Sequence, residues 1–463
     1  MNIVDYTNKF QEIEIKNGFF TCSDQSGLNY WDIVRYDVFQ EIYQNLSNDI
    51  TIKLDLIDNT KKSRSRNLYR KITQIAKFFR ATTFKKYKYL CFVCSRYKNS
   101  DALNFDIASN DIVSRINKDS LIFESYRQEE KYLHSYVYDF GLSLEIYKYS
   151  FMSQTIKLTV KEELFKVSSC LKQEFNVDID LDKYIYNIIE RYKIELEHFI
   201  KLFTRLSPQA IFVVQNGTQK GMFAAANELN IPLIELQHGL IGYIHPSYSY
   251  PRLISKGQLK TLPKYFFSFS TFWTKHLNLP VQEIIPTGNS YFAKKIDKGL
   301  PRFEITFILA DIYTNELIPL VDKLISSGFK EEICIKLHSN QYYQYEGIKK
   351  HFERYKFIEI IRNEKSIETL LSISNSILAI QSTCVYQALY NNVLVLLYKK
   401  QDYQTHEDVF NNPLLKLFDS AEDIIKILNE PKINPGPSQE YFKDFDWKLV
   451  ESFLISIENS HKN

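Results

Sequence analysis

The sequence predicts an α/β protein made of two parallel-sheet domains of Rossmann type. Three observations carry that expectation. About eleven short apolar runs alternate with longer amphipathic stretches between residues 88 and 430. The runs are continuous rather than alternating, as in strands covered by helices on both faces. The chain, at 463 residues, is too long for one ordinary core, and its apolar periodicity lapses and then restarts near residue 300.

The elements follow in order. LNYWDIVRYDVFQEIYQNL (28–46) places Trp31, Val34, Val38, Phe39 and Ile42 on one helical face. The next segment, KKSRSRNLYRKI (61–72), is strongly basic and reads either as a solvated helix face or as a surface for lipid head groups or phosphate. Strands are expected at 88–94, 120–125, 210–215, 231–236, 264–269 and 283–288. A long helix over 181–206 carries Ile185, Ile188, Ile189, Tyr192, Leu196, Phe199 and Ile200 at helical spacing, and an Ala-rich helix over 218–230 follows. At FAKKIDKGLPR (292–302) basic residues, Gly and Pro interrupt the pattern, which marks a domain boundary.

The second series has strands at 304–310, 332–337, 356–361, 376–380 and 393–398. Helices fall between them at 315–328, stopped by Gly328, at 366–375, started by Ser366, and at 383–392. A loop at 430–439 leads to a last helix at 446–460, expected to return to the first domain. The expected domains are thus 1–292, 303–430 and a C-terminal segment 431–463.

Composition excludes several classes. With 44% hydrophobic and 24% charged residues the chain is not chiefly disordered. A net charge of +3 gives no footprint for wrapping nucleic acid. The 15% of aromatic residues read as core filler. The six cysteines lack zinc spacing and read as free thiols in a reducing compartment. The N-terminal twenty residues do not read as a signal peptide, and no apolar stretch approaches a membrane span. P-loop, dinucleotide-fingerprint, nucleophile-elbow and HExxH motifs are absent, which argues against those chemistries and against a catalytic metal.

In open parallel sheets ligands bind at the carboxyl ends of the strands. The residues there are Ser95 and Arg96; Asn216 and Gly217; Gln237, His238 and Gly239; Gly288 and Asn289; Asp311; His338 and Ser339; and Gln381, Ser382 and Thr383. Two of nine histidines occupy such ends, one in each domain. Ser382-Thr383 reads either as a helix cap or as an anion site at a helix start. Gln237-His238-Gly239 puts an imidazole beside a residue that lets backbone approach a ligand. Lys336, two residues before His338, reads equally as a charge toward a ligand or a lysine at the core edge.

IPLIELQHGLIGYIHPSY (231–248), IIPTGNSYF (284–292), ICIKLHSNQ (333–341) and the run from Ser366 to Tyr398 resemble, in order and spacing, bacterial surface-polysaccharide glycosyltransferases of GT-B type. Capsule and lipopolysaccharide enzymes, Kdo and sialic-acid transferases and CDP-glycerol glycerophosphotransferases are similar. The likeness covers about residues 210–400; YWDIVRYDVF is similar to the N-terminal part of some of these proteins. It implies a GT-B fold, two Rossmann-like domains facing across a cleft. It also implies a metal-independent transferase that uses a nucleotide-sugar as substrate and needs no cofactor. By the same resemblance His238 is catalytic. Gln237, Gly239, Gly288, Asn289, Asp311, Lys336, His338, Ser382 and Thr383 bind the donor, and Asn216 lies on the acceptor side. The catalytic base is not legible; Asp24, Asp32 and Asp101 are the available acids.

Two departures bear on the donor. His338 is followed by Ser339 where the family has Pro. Gln387 stands where many members have the acid that holds the ribose hydroxyls. This favours a CMP-activated sugar such as CMP-Kdo or CMP-sialic acid. The implied partners are that donor and a glycan or lipid-linked glycan acceptor, with no nucleic acid. The implied place is the cytoplasm, at the inner face of the membrane. A CDP-glycerol or ribitol phosphotransferase, a non-hydrolysing epimerase of the same fold and a non-catalytic binding protein are the alternatives.

Overall fold

The structure, a computed structural model, describes residues 1–21, 29–47, 75–83, 85–98, 101–124, 131–139, 141–143, 145–146, 162–214, 217, 219–275, 277–310, 314–400, 402–431 and 440–460. The basic segment 61–72 lies outside the described residues.

Six parallel strands form the first sheet: β1 (Tyr89–Val93), β2 (Ser120–Glu124), β3 (Ala210–Val214), β4 (Leu233–Leu236), β5 (Tyr265–Phe267) and β6 (Glu283–Ile285). Their spatial order is β2-β1-β3-β4-β5-β6. Pleating sends alternate residues to opposite faces. Leu90, Ile211 and Val213 pack with Phe199, Leu202 and Phe203 of the 26-residue helix α3, defined below, and with Met222 and Phe223 after it. Tyr89, Cys91, Phe212 and Val214 pack the other way, against Ile112, Val113 and Ile116 and against Val450, Leu454 and Ile457 of the C-terminal helix Trp447–Ser460. Both faces are covered, which is why these strands read as unbroken apolar runs.

Four helices frame this sheet's site edge and its supports: α1 (Ile3–Lys16), α2 (Tyr30–Ser47), α3 (Leu181–Leu206) and α4 (Lys220–Glu228). Asp180 caps α3 by accepting the N–H of Lys183, and Ser207 ends it in the left-handed region at φ 47°.

The second sheet is also wholly parallel: β7 (Phe303–Ile308), β8 (Ile333–Lys336), β9 (Ile358–Ile361), β10 (Ser374–Ala379), β11 (Leu394–Tyr398) and β12 (Leu415–Phe418). Its order is β9-β8-β7-β10-β11-β12. One face packs Ile305, Phe307, Ile335, Leu378 and Leu396 against Leu317, Val321 and Leu324 of α5 (Thr314–Ser326). A smaller cluster joins Phe303, Cys334 and Ile361 to Leu370 of α6 (Ile367–Ser372). Ser366 caps α6 by accepting the N–H of Thr369. The helix α7 (Cys384–Tyr390) follows β10.

The chain divides into two compact units. Among the described residues, those of 7–47, 75–293 and 443–460 form one around the first sheet, and those of 294–442 with Met1–Tyr6 form the other around the second. Gly288 secures the return of the chain to the first unit. It holds φ at 79°, and a Cβ there would strike the carbonyl oxygens of Lys443 and Asp444. Asn289 N–H donates to Lys443 O at 2.9 Å, and Asp446 N–H to Thr287 O at 2.8 Å. Among the described residues no helix is long and apolar enough to cross a membrane.

Candidate active site

Strand order locates the crevice in each unit. In the second sheet the three strands β7, β8 and β9 run outward one way and β10, β11 and β12 the other, so the order reverses between β7 and β10. In the first sheet the reversal falls between β1 and β3. The crevice outside the carboxyl ends of the strands at such a reversal is where open α/β sheets bind ligands.

At the second crevice β10 runs into Ile380, Gln381, Ser382 and Thr383 before α7 begins. Ser382 Oγ accepts the N–H of Cys384 at 3.2 Å, so this hydroxyl supports the turn. Thr383 holds the cap position of α7 but makes no side-chain cap bond. The N–H of Ser382 donates to Nε2 of His406 at 3.4 Å. His406 is fully buried, and burial pushes it down to about 3, so at neutral pH it is an uncharged acceptor. Asp311, on the β7 side, lies outside the described residues.

One strand further out stand Lys336 and His338. Burial lowers the Lys336 ammonium, whose Nζ donates to Arg362 O. His338 is exposed, and its N–H donates to Gln341 Oε1 at 3.0 Å. Gln387, buried in α7, donates through Nε2 to Glu368 Oε1 at 3.2 Å. A carboxylate therefore does stand beside the glutamine, supplied by the first turn of α6. Sequence pattern does not reveal this pairing, because a contact across 19 residues leaves no periodic signal.

At the first crevice β1 ends in Cys94, Ser95 and Arg96. The N–H of Cys94 donates to Asp106 Oδ2 at 3.0 Å and that of Ser95 to Glu124 Oε2 at 2.8 Å. Burial pushes Asp106 up to about 6. Asn216, after β3, lies outside the described residues. Gly217 holds φ at 112° against Tyr36 and Ser247.

After β4 come Gln237, His238 and Gly239. Gln237 is buried and committed: Oε1 accepts the N–H of Phe269 at 2.8 Å, and Nε2 donates to Gly239 O at 3.0 Å. It ties the β4 and β5 exits together. Asn289 is committed likewise, donating to Ile107 O and accepting the N–H of Phe292. Gln237, Gly288 and Asn289 thus shape the edge through backbone contacts.

His238 is different. Its Nδ1 is buried with no hydrogen-bond partner among the described residues. Burial and the positive charge of Arg96 push it down to about 4. His245 is pushed down to about 3 by burial and by His238. Its Nδ1 accepts the N–H of Ser247 at 3.2 Å, which in the neutral ring leaves the proton on Nε2. Tyr36 stacks beside that ring, with centroids 6.1 Å apart and planes inclined by 25°. The pair of neutral imidazoles beside an arginine was only half legible: His245 falls in a loop, outside the strand-end rule.

A buried ionic network underlies this loop. Arg35 of α2 donates to Glu14 at 2.6 Å and 3.1 Å and to the carbonyl of Pro246. Lys220 pairs with Asp32 at 3.2 Å, and Thr261 also donates to Asp32. Asp32 is fully buried and paired, which removes it from the available catalytic bases. Asp24 lies outside the described residues, and Asp101 is exposed. No group of three metal-ligating side chains occurs among the described residues.

No protein-family profile and no curated protein matches this sequence. Solved structures match over most of the chain at low identity. A UDP-GlcNAc 2-epimerase from Methanocaldococcus jannaschii, in complex with UDP-GlcNAc and UDP, is 11% identical with a TM-score of 0.47, covering 80% of this chain and 99% of its own. A glycosyltransferase from Rickettsia africae is 11% identical with a TM-score of 0.39, over 75% and 88%. MurG of Acinetobacter baumannii is 9% identical with a TM-score of 0.39, over 74% and 89%. At these values the assignment of two Rossmann-like halves rests on the strand orders of the chain itself.

Proposed function

We propose that the protein is a nucleotide-sugar-dependent glycosyltransferase of the surface-polysaccharide kind, with the donor bound by the second unit and the acceptor by the first. The observation that carries this reading is the position of Ser382-Thr383 at the strand-order reversal of the second sheet, with a buried neutral histidine holding the loop from behind. Thr383 and the imidazole of His338 offer donors to a diphosphate or phosphate without metal. Glu368, steadied by Gln387, offers a carboxylate to the vicinal hydroxyls of a ribose.

That carboxylate removes the main reason for favouring a CMP-activated sugar, since ribose recognition is equally served for any nucleotide. A CMP-sugar such as CMP-Kdo or CMP-sialic acid stays one member of the panel. His238 is the group proposed to act at the transferred sugar. The acceptor is proposed to be a growing glycan, lipid-linked at the inner face of a membrane. Sedimentation with anionic vesicles at low and high salt tests that last point, since attraction by basic residues is screened by salt.

The deciding experiment is a thermal-shift panel of CMP-, CDP-, UDP- and GDP-activated donors. Ligand at a hundredfold excess over Kd stabilises a protein by about 2.7 kcal/mol. One donor class should raise the midpoint clearly in the native chain and little in the Ser382→Ala/Thr383→Ala variant. No shift with any donor defeats the reading.

A further inference from the structure

Arg96 is an exposed cation at the edge of the first crevice. It leaves β1 at the strand-order reversal, and His238 leaves the same sheet edge two strands away, at about 10 Å by strand spacing. The guanidinium is exposed and forms no ion pair among the described residues. Its one hydrogen bond is to the sulfur of Cys94 at 3.1 Å. The two carboxylates beside its loop, Asp106 and Glu124, are buried and directed at the N–H groups of Cys94 and Ser95.

The groups around His238 are of one kind. His245 is neutral, and the acids beneath the loop are engaged: Asp32 with Lys220 and Thr261, Glu235 with the Tyr248 hydroxyl at 2.6 Å. A crevice edge with an exposed guanidinium that forms no ion pair among the described residues and two neutral imidazoles, and with the carboxylates of Asp32 and Glu235 buried beneath it, favours a negative guest.

We infer that Arg96 and His238 frame an oxyanion subsite in the crevice of the first sheet, which takes a carboxylate or phosphate carried on a sugar. Resting on the reading of this unit as the acceptor side, it specifies an acidic acceptor residue. Binding there also changes His238. An anion cancels the Arg96 charge, one of the two causes that hold the imidazole's proton affinity down, and so makes His238 a better proton acceptor when the acidic sugar is in place.

The test is histidine-ring NMR on the full chain, with the His238 signals identified from a His238→Gln sample. The probes are glucuronate, glucose 6-phosphate and neutral glucose at low salt. One of the two acids, or both, should move the His238 signals while glucose does not, and the responding probe separates carboxylate from phosphate. Arg96→Gln should weaken that binding about tenfold or more, the scale of one charged hydrogen bond. Without ligand, the same variant should raise the His238 titration midpoint. Equal binding of the acids by Arg96→Gln, an equal response to glucose, or an unmoved midpoint would overturn the subsite. Nucleotide-donor binding, measured on the same samples, separates the two readings. Its absence with the acid response intact defeats only the transferase; its presence without an acid response defeats only the subsite.

Discussion

The N–H of Ser382 points at Nε2 of His406 across 3.4 Å, and His406 in turn packs against the ring of Tyr386 at 5.4 Å. Tyr386 is anchored by its hydroxyl on Asp408 at 2.9 Å. The segment Tyr403–Val409 therefore acts as a wall behind the Gln381–Thr383 loop, with one neutral imidazole as its contact point. His406→Ala removes the acceptor and leaves a space. It should weaken donor binding about three- to tenfold by loosening the loop, whereas His406→Gln, which keeps an acceptor, should lose less. Calorimetric titration of the responding nucleotide checks this; equal losses in both variants would make the effect one of packing alone.

Acid should destabilise the fold, and the sign follows from the shifted groups. His238, His245 and His406 sit at about 4, 3 and 3, below the ordinary 6.5. The unfolded chain therefore takes up protons first, and the stability these rings contribute is complete above 6.5 and lost as pH falls toward 3–4. Asp37 and Asp106, raised to about 6 from 3.8, act oppositely between those values. Two of the three histidine contributions are thus offset there. His406→Gln should flatten the acid slope by up to about 1.4 kcal/mol per pH unit. Urea unfolding midpoints at pH 7, 6 and 5 for both proteins measure it.

The Glu14–Arg35 pair should be costly to break from one side. Both side chains are buried, at 0% and 2% exposure. Arg35 also reaches the Pro246 carbonyl in the loop that carries His245. Arg35→Met removes the cation and leaves the buried Glu14 carboxyl held by the indole N–H of Trp31 at 2.7 Å, which should cost about 3–5 kcal/mol. Adding Glu14→Gln should recover part of it. Denaturant unfolding of the two singles and the double gives the coupling directly.

How far the sequence told this in advance depends on the range of each interaction. The strand runs were plain because both faces of each sheet are covered, so every residue of AIFVV is buried. The long helix was plain because its buried residues, from Leu181 to Leu206, recur at helical spacing, the last of them, Phe199, Leu202, Phe203 and Leu206, packing on the first sheet. The edge strand Leu415–Phe418 was not foreseen: it has four residues, two only partly buried, and a lysine within it. The helices Ile3–Lys16 and Glu162–Phe175 were missed, since acids, amides and lysines interrupt their apolar faces. Strand-end position singles out His238 and Ser382 as candidates, because it is a local fact. It did not find His245, which falls in a loop, nor His406 or Glu368, nor that Gln237 and Asn289 are committed to backbone, because those last four depend on contacts across 19 to 182 residues.

Gly288 should tolerate no side chain. Its φ of 79° already disfavours one, and the backbone carbon of Asp444 would lie 2.7 Å from the new Cβ. Backbone cannot yield as a flexible side chain does. Gly288→Ala should cost about 3 kcal/mol or more and should release the segment that leads to the helix Trp447–Ser460. Hydrogen exchange over residues 440–460 reports this apart from global unfolding; unchanged protection there would contradict the packing role.

His238→Gln separates catalysis from binding. The substitution keeps a polar side chain of similar reach but cannot take up a proton. Nothing in the core depends on the ring: Nδ1 has no partner among the described residues, and the neighbouring Gln237 carries the hydrogen bonds that join β4 to β5. The fold should therefore survive, with an unfolding midpoint within about 1 kcal/mol of native. Donor affinity should change little, because the proposed nucleotide contacts lie on the other unit. Turnover with the donor found by the panel should fall by about a hundredfold or more, the scale of one general acid–base group. In the native chain the free-enzyme acid limb should lie near pH 4, where His238 takes its proton, rather than near 6.5. Arg96→Gln should move that limb upward, since it removes a charge that now opposes protonation. A limb near 6.5 that ignores Arg96, or undiminished turnover in His238→Gln, would show that the reacting group is another residue.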